Sequence, residues 1–139
     1  MPSIRYQRLA SELLPLANKF YKSQRSPMRV GRSEQVWVAQ QAEIIAACCL
    51  KPVADGHWLT ALLVAREQRQ QGIASQLLNA LRAHSQGPIW LFCAPELLSF
   101  YQRLGFAPCP ALPAELTERL LRYQRKQPLL ALASPPQCG

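Results

Sequence analysis

The stretch from His57 to Cys93 constrains this chain most. Residues 57–65, His-Trp-Leu-Thr-Ala-Leu-Leu-Val-Ala, are almost continuously apolar. A strand of that pattern is expected to be buried on both faces, and so central in a sheet. Polar residues 66–71 and then Gly72 interrupt it. From Ile73 the apolar positions switch to helical spacing, with Ile73, Leu77 and Leu81 four apart and Ala74 and Leu78 beside them. Gly87 and Pro88 mark the stop. Residues 89–93, Ile-Trp-Leu-Phe-Cys, predict a second buried strand. Pro95 then opens a helix at the position where a missing N–H costs least. That helix carries Leu97, Leu98, Tyr101 and Leu104 and stops at Gly105. Two consecutive strand–helix units of this kind require a parallel strand pair.

The flanking segments fill in the class. Residues 3–9 alternate apolar and polar, the period of a half-buried strand. Residues 11–22 place Leu13, Leu14, Ala17, Phe20 and Tyr21 on one helical stripe, and Pro15 restricts the start to about Leu13. Residues 35–40 and 43–50 form a predicted hairpin, with a turn from Pro52 to Gly56. Beyond Gly105, residues 106–109 suggest a short strand, 114–126 a helix and 129–133 a last strand. The fold class is therefore α/β with a mixed sheet. At 139 residues the chain is read as one domain over 1–133, followed by a Pro-rich flexible tail at 134–139. No apolar run is long enough to span a bilayer, and the first residues lack a signal-peptide core. The five cysteines include no C-x-x-C pair, and Cys48, Cys49 and Cys93 sit in apolar runs. A reduced, cytoplasmic protein without a metal is expected.

The turn before the Ile73 helix carries the chemistry. The first N–H groups of a helix have no internal partner and point out of its N-terminus, where the dipole adds roughly half a positive charge. Gly72 and Ala74 leave little side chain in the way of a phosphate, and Arg69, Gln70 and Gln71 add further N–H groups. Arg66 and Arg69 add full charge. A phosphate or pyrophosphate site is plausible on these grounds, beside the plainer reading of a packing glycine. The net charge of +8 also suits an anionic partner. Neither a Walker loop nor a dinucleotide fingerprint is present.

Arg69-Gln70-Gln71-Gly72-Ile73-Ala74 resembles the Arg/Gln-x-x-Gly-x-Gly/Ala signature of the GCN5-related N-acetyltransferase (GNAT) family. Phe100-Tyr101-Gln102-Arg103-Leu104-Gly105-Phe106 is similar to that family's second hallmark, in the expected order. The resemblance implies a mixed, mostly antiparallel sheet flanked by helices and acetyl-CoA as acyl donor. It places the CoA pyrophosphate on the backbone of Arg69, Gln70, Gln71, Gly72, Ile73, Ala74 and Ser75. It places the pantetheine arm on Leu62, Leu63 and Val64, between splayed parallel strands.

The resemblance further implies direct attack of a primary amine, from a small molecule or peptide, on the thioester, with a backbone N–H near Val64 facing the developing oxyanion. Tyr101 matches the family's usual acid for the departing thiolate, since a phenol is protonated at neutral pH. Its plainer role is packing among Leu97, Leu98 and Leu104. Where some members carry a glutamate, this chain has His57 and Trp58, and only His57 can take a proton. Glu34, Asp55 and Glu67 are other carboxylates within reach of consideration. Ala94 stands where many members have an asparagine, and Leu97 where a small residue is common. An acyl-CoA-binding regulator with little turnover is the alternative function. Nucleic-acid binding rests on charge alone and is set aside for want of a recognition helix. The basic 22–32 loop favours a neutral or anionic acceptor. The resemblance also implies a possible homodimer, since dimers are frequent among proteins of this kind.

Overall fold

In the computed structural model, residues 3–109 and 111–134 are described. Seven strands are β1 (Arg5–Arg8), β2 (Gln35–Gln40), β3 (Ile44–Val53), β4 (Gly56–Val64), β5 (Ile89–Cys93), β6 (Ala107–Pro108) and β7 (Leu130–Ser134). Four α-helices are α1 (Leu14–Ser23), α2 (Ile73–His84), α3 (Leu98–Arg103) and α4 (Ala114–Gln124). Hydrogen bonding orders the strands β1-β2-β3-β4-β5-β7-β6. The β1–β2, β2–β3, β5–β7 and β6–β7 pairs are antiparallel, and β4–β5 is parallel. This is the mixed, mostly antiparallel sheet that the sequence led us to expect.

The chain divides into two compact units, Met1–Lys51 with Leu59–Ser85, and Pro52–Trp58 with Gln86–Gly139. In the first unit β2 is buried along Val36–Ala39 because both its faces are covered. Val36 and Val38 join Ala47 and Cys49 of β3 against Ala17, Phe20 and Tyr21 of α1. The alternate residue Trp37 points the other way, its ring 5.6 Å from that of His84 on α2. α2 seats Ile73, Leu77, Leu78 and Leu81 in the core, and each such side chain contributes roughly 1.5–3 kcal/mol by leaving water.

The second unit has its own core of Val53, Trp58, Trp90, Cys109, Leu116 and Ala133. The Trp58 ring lies between Phe92, centroids 5.4 Å apart, and the Arg119 guanidinium, 4.5 Å from the ring centre. Gly56 lets the start of β4 press against the chain entering β5: a Cβ there would run into the Pro88 carbonyl.

Several boundaries move for physical reasons. α1 is preceded by a 3-10 turn, Ser11–Leu13, and Pro15 sits in its first turn as its missing N–H requires. Lys22 falls in the last turn of α1, not in the basic loop. β3 runs to Val53, three residues beyond the predicted end, and Ala54 turns the chain at φ 51°. α2 stops at His84 because Ser85 is already extended. The chain after Pro95 begins as a 3-10 turn, Pro95–Leu97, before α3. α4 ends at Gln124, and Ser134 closes β7, where it is buried. The remainder of the expected tail, with Cys138, lies outside the described residues.

One expectation is corrected. β4 is fourth in the order, but it is not buried along its length. Gly56, Trp58 and Leu59 are buried, whereas Thr60–Val64 are half-exposed. The β4–β5 ladder is two pairs long, His57 with Ile89 and Trp58 with Trp90.

Candidate functional site

Within the first unit, the end of β4 and the start of α2 form one continuous turn. Leu62, Leu63 and Val64 are half-exposed, and they lie beyond the β4–β5 ladder, which pairs only His57 and Trp58 of β4. Arg66–Gln68 make a 3-10 turn, closed by the Gln68 N–H onto the Ala65 carbonyl at 2.9 Å. The Gln24 side chain accepts from the Arg66 N–H at 3.1 Å and ties this turn to the end of α1. Arg69 folds back, its Nε donating to the Val64 carbonyl at 3.1 Å. Its own N–H faces the Arg66 carbonyl at 3.5 Å. Arg69 therefore fixes the shape of the turn and brings its charge to the strand end, while its backbone donor points inward.

The donors that face outward begin after it. Gln70 and Gly72 both adopt left-handed backbone, at φ 66° and 76°. For glutamine this conformation costs roughly 1–2 kcal/mol, and Gly72 avoids that cost. Gly72 is the N-cap of α2, and no side chain caps the helix. A Cβ at Gly72 would meet nothing within 4 Å, so the space beside the turn is open. Ile73 is anchored in the core, which points the N–H groups of the first turn away from it. Gln70 and Gln71 are exposed, and Ala74 and Ser75 are half-exposed. An uncapped twelve-residue helix with an open approach is suited to an anion.

A feature of β4 went unnoticed in the sequence. Ala61, within the strand, has φ 57°. The hydroxyl of fully buried Tyr21 donates to the Ala61 carbonyl at 2.7 Å. Burial raises the pKa of that phenol, so it stays a neutral donor. An alanine carries no sign of such a conformation; a glycine would have.

The other two predicted residues lie in the second unit. Tyr101 is half-buried on α3, its ring 5.0 Å from Phe100 and 6.0 Å from Phe106, both edge-on. Its carbonyl accepts from the N–H groups of Leu104 and Phe106, each at 3.0 Å, which closes the Leu104-Gly105 turn behind it. His57 is half-buried near the start of β4, its N–H on the Pro88 carbonyl at 2.9 Å. Desolvation lowers its pKa, so the imidazole is neutral at pH 7, and its buried Nδ1 has no partner. Ala94 precedes the Pro95 turn, with its carbonyl taken by the Leu97 N–H, and Leu97 is exposed.

Cys48, Cys49, Cys93 and Cys109 are buried free thiols, and burial pushes Cys49 up to about 12. Among the described residues no group of three His, Cys, Asp or Glu could hold a metal, and no helix is long and apolar enough to cross a membrane.

The family model for an acetyltransferase (GNAT) domain matches residues 32–108, more than half of the 139. The match includes β4, the Gly72 turn, α2, β5 and α3. The chain belongs to the GNAT acetyltransferase family, and acyl transfer from acetyl-CoA is the reaction class that membership supports. No curated protein matches the sequence. Solved structures of the same fold are Escherichia coli ElaA (TM-score 0.64, 15% identity, 96% of this chain and 99% of that one), Tetrahymena GCN5 (0.70, 12%, 96% and 98%) and Arabidopsis thaliana Naa50 with a CoA-peptide bisubstrate analogue (0.65, 17%, 95% and 98%).

Proposed function

We propose that the protein is an N-acetyltransferase that moves the acetyl group of acetyl-CoA to a primary amine by direct attack. The observation that carries this reading is the uncapped N-terminus of α2 behind a left-handed Gly72, open to solvent and flanked by Arg69. Main-chain N–H groups from Gln70 to Ser75 would hold the CoA diphosphate. The backbone of the half-exposed residues Leu62–Val64 would hold the pantetheine arm by strand-like hydrogen bonds.

In the reaction the neutral amine attacks the thioester carbonyl carbon. The C–N bond forms, the C–S bond breaks, and the thiolate leaves. Tyr101 supplies a proton or hydrogen bond to that thiolate, and water removes the proton from the acylated nitrogen. Neutral His57 is a candidate relay for that second proton. The chemistry is placed in the cytoplasm, needs no metal, and can be run by a monomer or a homodimer.

The test has two arms. Acetyl-CoA at a hundred times its Kd is expected to stabilise the fold by about 2.7 kcal/mol, several degrees in Tm. Free thiol should then appear when primary amines are added. A Tm unmoved by millimolar acetyl-CoA contradicts the reading. A shift without thiol release from any amine would favour a regulator that binds acyl-CoA.

A further inference from the structure

The first unit contains a cavity of about 270 Å³ beside the end of β1 and the start of β2. Leu9, Leu14 and Val36 form its apolar lining, and Arg8, Ser11 and Glu34 its polar one. Glu34 is unusual in this protein. Of the eight carboxylates, seven are exposed and Glu34 alone is half-buried. It is held in place: the Gly31 N–H donates to its Oε1. Cys49 Sγ lies 3.8 Å from the Tyr21 hydroxyl, which donates to the Ala61 carbonyl of β4. Glu34 precedes β2, where Val36 pairs with Cys49 of β3, and Cys49 and Tyr21 lead from there to the strained point of the strand that the proposed pantetheine contacts follow.

Arg8 is exposed at the cavity, and among the described residues no ion pair joins it to Glu34. Drawing a carboxylate inward costs solvation that a cation normally offsets. Here the nearby guanidinium is left unspent. A cavity with a fixed carboxylate, a separate guanidinium and an apolar lining between them is complementary to a molecule that carries both charges. At ~30 Å³ per water-sized group it takes roughly nine such groups.

We propose that this cavity binds the acceptor, and that the acceptor is a small apolar α-amino acid. Glu34 binds its nitrogen as the ammonium, which sheds one proton to water before it attacks; its carboxylate sits on Arg8 and its side chain over Leu14. Arg8 lies on the edge strand β1 and Glu34 just before β2, one strand nearer β4 in the sheet order, so the nitrogen is the end on the β4 side. The cavity thus sets specificity within the acetyl-transfer reading, on which this inference rests.

The experiment compares leucine with 3-methylbutylamine, the same amine without its carboxylate, by thiol release from acetyl-CoA. Leucine is expected to have a kcat/KM at least tenfold higher, as one charged hydrogen-bonded contact implies. Arg8→Ala should bring the two substrates to within about threefold of each other, and Arg8→Lys should retain most of the preference. Arg8 is exposed, so neither change threatens the fold. Glu34→Gln should lower kcat/KM for both amines, with Tm recorded to confirm a folded protein. Equal rates for the two substrates, release from neither, or a preference that survives Arg8→Ala would overturn the inference while the acetyl-CoA shift in Tm still stood. Loss of that shift would bring down the parent reading as well.

Discussion

Two of the places where the chain leaves its sheet into a helix, after β4 and after β5, are built differently. After β4 a left-handed Gly72 opens the twelve-residue α2 with no side-chain cap. After β5, extended Ala94 leads into Pro95, which has no N–H to offer, and a three-residue 3-10 turn precedes the six-residue α3. The Leu97 N–H is already bound to the Ala94 carbonyl at 2.9 Å. Strand-then-helix topology alone is therefore no phosphate site. Free donors, a long helix behind them and a residue that tolerates positive φ are why we propose the first exit as one. The second exit instead delivers Tyr101. We read the first as setting affinity for acetyl-CoA and the second as setting turnover.

The largest expected effect separates these roles. Tyr101→Phe should lower kcat about a hundredfold, the scale of a lost general acid, with acetyl-CoA affinity unchanged. Steady-state kinetics beside calorimetric titration reads both. Unchanged kcat would remove Tyr101 from the chemistry and leave it to its packing on Phe100 and Phe106.

The opposite split is expected at the first exit. Gly72→Asp should weaken acetyl-CoA binding by tens of fold, whereas Gly72→Asn should weaken it only a few fold. Both side chains tolerate left-handed backbone, so the pair isolates the negative charge from the conformation. Equal losses in the two variants would mean that shape, not the anion, is what the turn recognises.

Much of this division was legible beforehand, and the reason is local. Gly72 followed by Ile73, Leu77 and Leu81 encodes both the turn and the buried face of α2 within a dozen residues. β2 and β5 were read at their observed bounds because short apolar runs there end on clear turn residues. What depended on distant partners was not legible. The apolar run of β4 implied full burial, yet Thr60–Val64 are half-exposed. The left-handed Ala61 is stabilised by Tyr21, forty residues away in sequence. In the sequence Glu34 ranks with Asp55 and Glu67 as a candidate carboxylate, and nothing in its spacing sets it apart; the Gly31 N–H that holds it is visible only in the structure.

Smaller effects sharpen the same contrast. Tyr21→Phe leaves the Ala61 carbonyl without its donor and should cost about 1–3 kcal/mol in chemical denaturation. If stability is unchanged, β4 does not need that hydrogen bond to hold its conformation. Pro95→Ala restores one N–H at the second exit, but no long helix stands behind it. Acetyl-CoA affinity should stay within about twofold by calorimetry. A marked gain would show that a single free donor suffices, and the distinction drawn between the two exits would fail.

The most direct test is an amide NMR titration of the labelled protein with CoA. The account predicts that the largest shifts fall on the N–H groups of Gln70 to Ser75, with Ala94 to Leu98 little affected. Shifts concentrated at the second exit, or none at Gly72 and Ile73 under saturating CoA, would contradict it.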